Sequence, residues 1–296
     1  MIFVICGPTG AGKSALALRL AQDFSGEIIN GDAYQVYRGM DIGTAKPTID
    51  EQALVPHHLF DILDIDEPFS VADYQKRLRD IIAKRQNDHH PLFIVGGNGL
   101  YVKAALFDYD FQPQKEFDSS IYDHLNNAEL HAELVKVDPL SAEKFHMNNR
   151  RRVLRALAIY QETGHSKSTL ESQQKHQLLY PVHFIGLLMD RAELYEQINQ
   201  RVEQMIAKGL VDEVLRLYQK YPTAKQAFQA IGYKEIISGY HQKEDLAVVV
   251  AQIKQHTRNY AKRQLIFYRT QLPVQWYQTS QEAYDAIKSI LEEQKA

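Results

Sequence analysis

The run Gly7-Pro8-Thr9-Gly10-Ala11-Gly12-Lys13-Ser14 fits the phosphate-loop pattern GxxxxGK[ST]. Its glycines let backbone N–H groups turn toward an anion at the start of the following helix. Lys13 adds a point charge, and the Ser14 hydroxyl is of the kind that ligates Mg2+ beside a phosphate. The motif therefore predicts a cradle for a diphosphate or nucleotide, with Mg2+ as cofactor. It does not specify ATP. No Asn-Lys-x-Asp run for reading guanine occurs in the chain. The third apolar strand closes in Ile94-Val95-Gly96-Gly97-Asn98-Gly99, so the metal-binding aspartate of a motor-type ATPase is missing there.

A second chemical group follows closely. Asp32 stands in Ile28-Ile29-Asn30-Gly31-Asp32-Ala33-Tyr34-Gln35-Val36-Tyr37, just past the second apolar strand. A carboxylate there could accept a proton from a hydroxyl or an amine nucleophile. It could also cap its own turn. Tyr34 and Tyr37 could stack on a base, although tyrosines more often pack. His57 and His58 are adjacent, so their side chains point different ways, and no third ligand accompanies them; a metal pair is not expected.

The elements that would position these groups read as follows. Residues 2–6 form a buried strand, 13–23 a helix, 27–30 a second strand, 71–84 a helix and 91–95 a third strand. Strands alternating with helices predict a parallel α/β sheet, with ligands at the carboxyl ends of its strands. Gly7, Asp32 and Gly96 all fall at such ends, so the three turns should converge on one site. Residues 112–179 lack β-branched runs and read as a helical insertion. The sheet returns at Val182-His-Phe-Ile-Gly-Leu-Leu188. Leu194, Ile198, Val202 and Met205 mark a helix over 191–208 that Gly209 ends or bends, and a long helix follows at about 245–268. The catalytic core is thus expected over 1–111 and 180–296.

Composition sets the outer limits. The chain has 296 residues, 45% apolar and 24% charged, which supports a sizeable core. Its formal net charge is −3, so a nucleic-acid partner would have to be met by a local basic patch. Two patches qualify. Arg150, Arg151, Arg152 and Arg155 cluster in the insertion. Lys254, Arg258, Lys262, Arg263 and Arg269 lie in a stretch from Leu246 to Gln281 that contains no acid. The single cysteine, Cys6, sits in the first strand and reads as buried; it excludes a disulfide framework and a multi-cysteine zinc site within this sequence. No apolar run approaches the roughly 20 residues of a membrane helix, and no leader is visible. A soluble, cytoplasmic monomer is expected.

The motifs GPTGAGKS, NGDAYQVYRGMDIGTAKPT, PHHLFDI, VGGNGLYVKAAL, RRRVLRAL, QAIGYKE and TRNYAKRQLIFYR, in this order, closely resemble the series of the tRNA dimethylallyltransferases, over nearly the whole chain. The resemblance is to the bacterial type without a zinc finger. It implies a P-loop NTPase-like core with a helical insertion. It implies a phosphate loop, Gly7 to Ser14, that holds dimethylallyl diphosphate with Mg2+. It implies that Asp32 is the base for N6 of adenosine 37 beside the anticodon. Asn98 would act with it, and Asp32, Ala33, Tyr34 and Gln35 would hold the extruded nucleotide. Arg151, Arg152, Val153, Leu154 and Arg155 would contact the tRNA anticodon stem-loop, with Lys234, Lys254 and Arg258 as further candidates. Two positions depart from the family pattern. Ala33 replaces a common Ser and cannot hydrogen-bond through a side chain, whereas Asn98 replaces a common Thr and can. A metabolite kinase, an adenylate dimethylallyltransferase and a nucleotide-gated RNA-binding protein are the alternatives.

Overall fold

Short apolar runs, buried along their whole length, make the central strands of the sheet, while the edge strands are partly exposed. The computed structural model describes residues 1–85, 90–109, 111 and 118–293. Its strands are β1 (Ile2–Cys6), β2 (Glu27–Asn30), β3 (His57–His58), β4 (Leu92–Val95), β5 (Val182–Leu187) and β6 (Gln275–Tyr277). They pair in parallel in the order β3-β2-β4-β1-β5-β6. Parallel strands need long crossovers, and helices α1 (Lys13–Asp23), α2 (Ile49–Leu54), α3 (Val71–Lys84) and α4 (Gly99–Leu106) lie between successive early strands.

Two contact units divide the chain: Met1–Leu106 with Tyr180–Ala296, and Phe107–Leu179. The second therefore begins at Phe107, ahead of the boundary expected at 112, a residue outside the described ones. It holds α5 (Asn127–Val137), α6 (Pro139–Lys144), α7 (Arg150–Thr163) and α8 (Lys167–Gln173), packed on Leu130, Leu134, Val153, Ala156 and Leu157. The first unit continues with α9 (Arg191–Ala207), α10 (Leu210–Lys220), α11 (Tyr233–Gln242), α12 (Leu246–Gln271) and α13 (Ser280–Glu293).

Local chemistry sets the helix starts. Thr48 with Glu51 and Ser70 with Asp73 form capping boxes on α2 and α3, and Asp190 caps α9. Phe3, Ile5, Leu20, Phe93, Ile185 and Ile287 share the main core, with the Phe3 and Phe93 rings 5.6 Å apart. Cys6 is fully buried at the end of β1, and burial pushes its thiol up to about 12, which makes it inert. Among the described residues no helix is long and apolar enough to cross a membrane.

The strand order puts β4 between β2 and β1, so its closing turn is flanked by Gly31-Asp32 and by the phosphate loop. Gly31 N–H donates to Val95 O at 2.8 Å, and Asn98 N–H donates to Gly31 O at 3.0 Å. A Cβ on Gly96 would meet the Gly31 carbonyl carbon at 2.1 Å. The two turns touch backbone to backbone, and only glycine permits it.

Gly96→Ala should therefore cost about 3 kcal/mol or more in urea unfolding, because rigid backbone must move. Gly209, at φ 96 with nothing nearer than Asp212 Oδ2 at 3.9 Å, is the control. Gly209→Ala should cost only about 1–2 kcal/mol, from its left-handed backbone alone.

Candidate active site

Three turns build the site, and each is held by groups behind it. Gly7, Gly10 and Gly12 adopt positive φ, and a Cβ on Gly7 would press to 2.8 Å from Leu187 O. α1 starts directly after Gly12, so its first free N–H groups and the positive end of its dipole point toward the loop. The Lys13 ammonium donates to Pro8 O at 2.7 Å, bending back over the loop.

The acid turn is tied by a buried amide that sequence reading passed over. Asn30 is fully buried. Its Oδ1 accepts Asp32 N–H at 2.7 Å, while Nδ2 donates to Asp32 O and Leu59 O, both at 3.0 Å. Asp32 Oδ1 in turn accepts Tyr34 N–H at 2.8 Å. Ala33 is half-buried beside it. Gln35 turns to its neighbouring loop, donating to Thr44 O at 3.0 Å and Ala45 O at 3.3 Å. Asn98 caps α4 through Oδ1, which accepts Tyr101 N–H at 3.3 Å; its Nδ2 has no protein partner among the described residues.

The loop after Asp32, Asp41-Ile-Gly-Thr-Ala-Lys46, is fixed from two sides. The Lys46 ammonium is buried between Asp41 Oδ1 at 2.7 Å and Asp61 Oδ1 at 2.5 Å, and donates to Tyr37 O at 2.8 Å. Buried Glu213 of α10 accepts the N–H groups of Asp41, Ile42 and Gly43 at 3.1, 2.8 and 3.2 Å, and the Tyr233 hydroxyl at 2.5 Å. Tyr37 packs in the core, fully buried, so it offers no stacking face.

Arg201 of α9 is the main charge that sequence reading missed. Its positive charge acts on both Asp32 and Lys13. Its guanidinium has no hydrogen-bonding protein partner among the described residues, and it lines a cavity of about 1000 Å³ with Gly10, Ile42, Lys46, Gln197 and Met205. Three fields meet here. Burial lowers Lys13 to about 8, and Arg201 adds to that, against the pull of Asp32. Burial raises Asp32, opposed by the backbone N–H groups of Tyr34 and Gln35 and then by Lys13 and Arg201. Burial lowers Arg201 and Asp32 restores part of it. The arrangement is two cations and one basic carboxylate within electrostatic reach of each other, chemistry suited to an anion and a proton.

Ser14 is exposed at the start of α1. Among the described residues no group of three or more His, Cys, Asp or Glu could hold a metal alone. One hydroxyl suits a Mg2+ that takes its other ligands from phosphate and water. His57 Nδ1 pairs with Val55 O and His58 Nε2 with Glu27, so the two histidines diverge.

The basic candidates fall into two classes. Arg151, Arg152 and Arg155 are exposed on α7. Val153 between them is fully buried in the core of its unit and Leu154 is half-buried, so the RNA contact expected of Val153 has no surface to come from. Lys234 is exposed beside Glu235, at 3.6 Å. The stripe on α12 is partly engaged by α9: Lys254 pairs with Glu203 at 2.5 Å, and Arg258 donates to the neutral amide of Asn199 at 2.7 Å. Lys262, Arg263 and Arg269 remain exposed.

A protein-family model described as IPP transferase matches residues 35–271. The tRNA dimethylallyltransferase of Anoxybacillus flavithermus is 45% identical over 278 residues, covering 93% of this chain and 89% of that protein. The Bacillus subtilis tRNA dimethylallyltransferase is 44% identical over 283 residues, 93% of this chain and 90% of that protein. The crystal structure of the Staphylococcus epidermidis tRNA delta(2)-isopentenylpyrophosphate transferase superposes with a TM-score of 0.74 at 37% identity, over 99% of both chains. A eukaryotic dimethylallyltransferase captured acting on tRNA gives 0.80 at 29% identity, over 93% of this chain and 73% of that one.

The Lys13 ammonium is charged below pH of about 8 and neutral above it. Inorganic pyrophosphate should therefore bind more tightly to the parent than to Lys13→Met below that pH, and the ratio of the two dissociation constants should shrink as pH rises through it. A ratio that stays near one from pH 6 to pH 10 by calorimetry removes Lys13 from the anion site.

Proposed function

This chain belongs to the IPP transferase family, and on that premise we propose that it transfers a dimethylallyl group from dimethylallyl diphosphate to N6 of adenosine 37, beside the anticodon of tRNA. The observation that carries the reading is a single one. The turns after β1 and β2 flank the turn after β4, which places a carboxylate made more basic by burial within electrostatic reach of Lys13 and Arg201. Pure binding needs no base, and phosphoryl transfer needs no Gly-Gly-Asn turn without a metal acid.

The amine of adenine is a poor nucleophile because its lone pair is delocalised into the ring. As its nitrogen attacks the allylic carbon, the C–N bond forms and the C–O bond to diphosphate breaks. The electron pair of that bond leaves with the diphosphate, and the amine proton passes to Asp32. The raised affinity of Asp32 for a proton favours that transfer. Lys13, Arg201 and the loop N–H groups meet the charge that gathers on the leaving group without reorganising. Ser14 is the residue that would hold Mg2+, which when bound neutralises part of the diphosphate charge. The donor would reach the loop through the cavity that Arg201 and Gly10 line. The free Nδ2 of Asn98 would orient the acceptor base, with Tyr34 beside it. The base must leave its stack to reach a half-buried carboxylate. Arg151, Arg152 and Arg155 would meet phosphates of the stem-loop, as would Lys234, while Lys254 and Arg258 would have to leave their α9 partners to do so. A tRNA substrate implies a cytoplasmic enzyme.

Incubation with radiolabelled dimethylallyl diphosphate, Mg2+ and either tRNA or AMP tests the reading. Label should enter tRNA and not AMP; efficient labelling of AMP with tRNA inert overturns the RNA half of it. Asp32→Asn is nearly isosteric and cannot take a proton, so transfer should fall by about 10²–10⁴-fold while pyrophosphate binding persists. Near-normal turnover by that variant removes Asp32 from the base role.

The salt dependence of tRNA binding checks the basic surface. Each phosphate contact with looped RNA contributes a slope of about −0.7 in log K against log salt. Replacing Arg151 and Arg155 by Ala should flatten the slope by about 0.7 for each and leave donor binding unchanged. An unaltered slope assigns those arginines to the solvent.

A further inference from the structure

Gln264 lies in α12 at only 4% exposure, and its amide joins two segments far apart in the chain. Oε1 accepts Thr9 N–H from the phosphate loop at 2.9 Å. Nε2 donates to Gly97 O, in the turn after β4, at 2.9 Å. The partners fix the orientation of the amide, because a backbone N–H must meet oxygen and a carbonyl must meet N–H. Packing closes the same gap: a Cβ on Gly97 would come within 2.2 Å of Nε2. Gly97 is followed by Asn98, and Gly96 rests on Gly31, next to Asp32. An unbroken series of contacts therefore runs from Thr9 through Gln264 to Gly97, Gly96, Gly31 and Asp32.

Two neighbours on α12 help to hold the turn. Tyr260 donates to Gly97 O at 3.0 Å and Tyr268 to Gly96 O at 3.1 Å. Among the described residues neither has a bond to the phosphate loop, whereas the Gln264 amide bonds to both segments. Thr9 N–H, committed to Gln264, is withdrawn from the set that faces an anion.

The geometry points to Gln264 as a positioning residue for the transfer. It sets the separation between the cradle that holds the diphosphate and the turn that carries Asp32 and Asn98, and touches neither substrate. This rests on the reading that donor and acceptor meet at this site. A displacement reaction is sensitive to that separation, since misplacement by about 1 Å can cost about 10²-fold in rate. A purely structural glutamine would only satisfy a buried N–H and carbonyl.

The two roles separate in the variant Gln264→Met, which keeps the bulk and removes both bonds. Four quantities are measured: kcat with saturating tRNA and dimethylallyl diphosphate, the dissociation constant of inorganic pyrophosphate, the thermal midpoint, and hydrogen exchange at Thr9. The expected result is a folded variant with faster Thr9 exchange, kcat lower by about 10²-fold, and pyrophosphate binding within about threefold of the parent. Tyr260→Phe removes a bond to the same carbonyl and the hydroxyl's contact with the Gln264 amide, but leaves the bond from Thr9 to Gln264 in place, and should leave kcat within about threefold. A folded Met variant with parental kcat overturns the inference. So does an equal loss in Tyr260→Phe, which would make anchoring of Gly97, not the bridge, the relevant effect. Gln264→Asn, one methylene too short to reach both partners, should repeat the loss of kcat if the Met variant does not fold. Failure of both to fold makes the role structural and also overturns the inference. A parent that labels no tRNA counts against the proposed function instead, while Thr9 exchange and pyrophosphate binding still report on the bridge.

Discussion

The backbone contact between Gly31 and Gly96 is the constraint on which the rest of the site depends. β2 and β4 are paired neighbours, and their carboxyl ends must both turn away from the sheet at the same level. A Cβ on Gly96 would hold the turns apart, and one on Gly31 would crowd Gly96 N at 3.3 Å. On Gly96 it would meet three Gly31 backbone atoms, none farther than 2.5 Å. With both side chains absent, Gly31 O can receive Asn98 N–H, and the turns become one surface. Asp32 and Asn98 are then placed by the sheet itself rather than by loop conformation. A site built on strand ends holds its groups more rigidly than one built on loops, which suits a reaction needing an aligned nucleophile and leaving group.

The charges at the site explain each other. Burial alone would drive Lys13 toward its neutral form and Asp32 toward its protonated form. Each restores part of what the other loses, and Arg201 supports Asp32 while opposing Lys13. The cleft therefore carries a surplus of positive charge that a diphosphate would relieve. Binding of that anion would favour the charged form of Lys13, the form needed when the leaving group departs. The same low polarity that strains the cations keeps Asp32 basic. One environment thus serves both halves of the reaction.

The parts of this arrangement that were legible in the sequence are those encoded locally. The phosphate loop, the strand-end acid and the Gly-Gly turn are short motifs with strand before and helix or turn after, and the helices expected at 13–23 and 71–84 form over those residues. Arg201 was not legible. Its helix was read for its apolar stripe, Leu194, Ile198 and Val202, and a cation one residue before Val202 looks like any solvated side chain until α9 is docked. The partners of Lys254 and Arg258 escaped for the same reason. A run without acids says nothing about Glu203 and Asn199 on another helix. Val153 illustrates the reverse error, since an arginine cluster on a helix still needs one face for its core. Asn30, Glu213 and Gln264 are buried polar groups that bond to distant backbone, and nothing in a single sequence distinguishes them from exposed ones.

The distribution of side chains on α12 has its own logic. Tyr260, Gln264 and Tyr268 recur at steps of four, so they share one face, and that face meets the turn after β4. All three are neutral donors. Burial, followed by the charge of Asp32, keeps the Tyr260 hydroxyl protonated far above neutral pH, and burial does the same for Tyr268. A lysine or arginine could hold the same carbonyls, but its charge would add to that of Lys13 and Arg201 and pull Asp32 toward the ordinary carboxylate range, making it a weaker base. The cations of the helix, Lys262, Arg263 and Arg269, are exposed instead. The helix thus supplies hydrogen bonds to the strand-end turns without disturbing the field that gives Asp32 its basicity, while its positive charge stays where a polyanion can meet it.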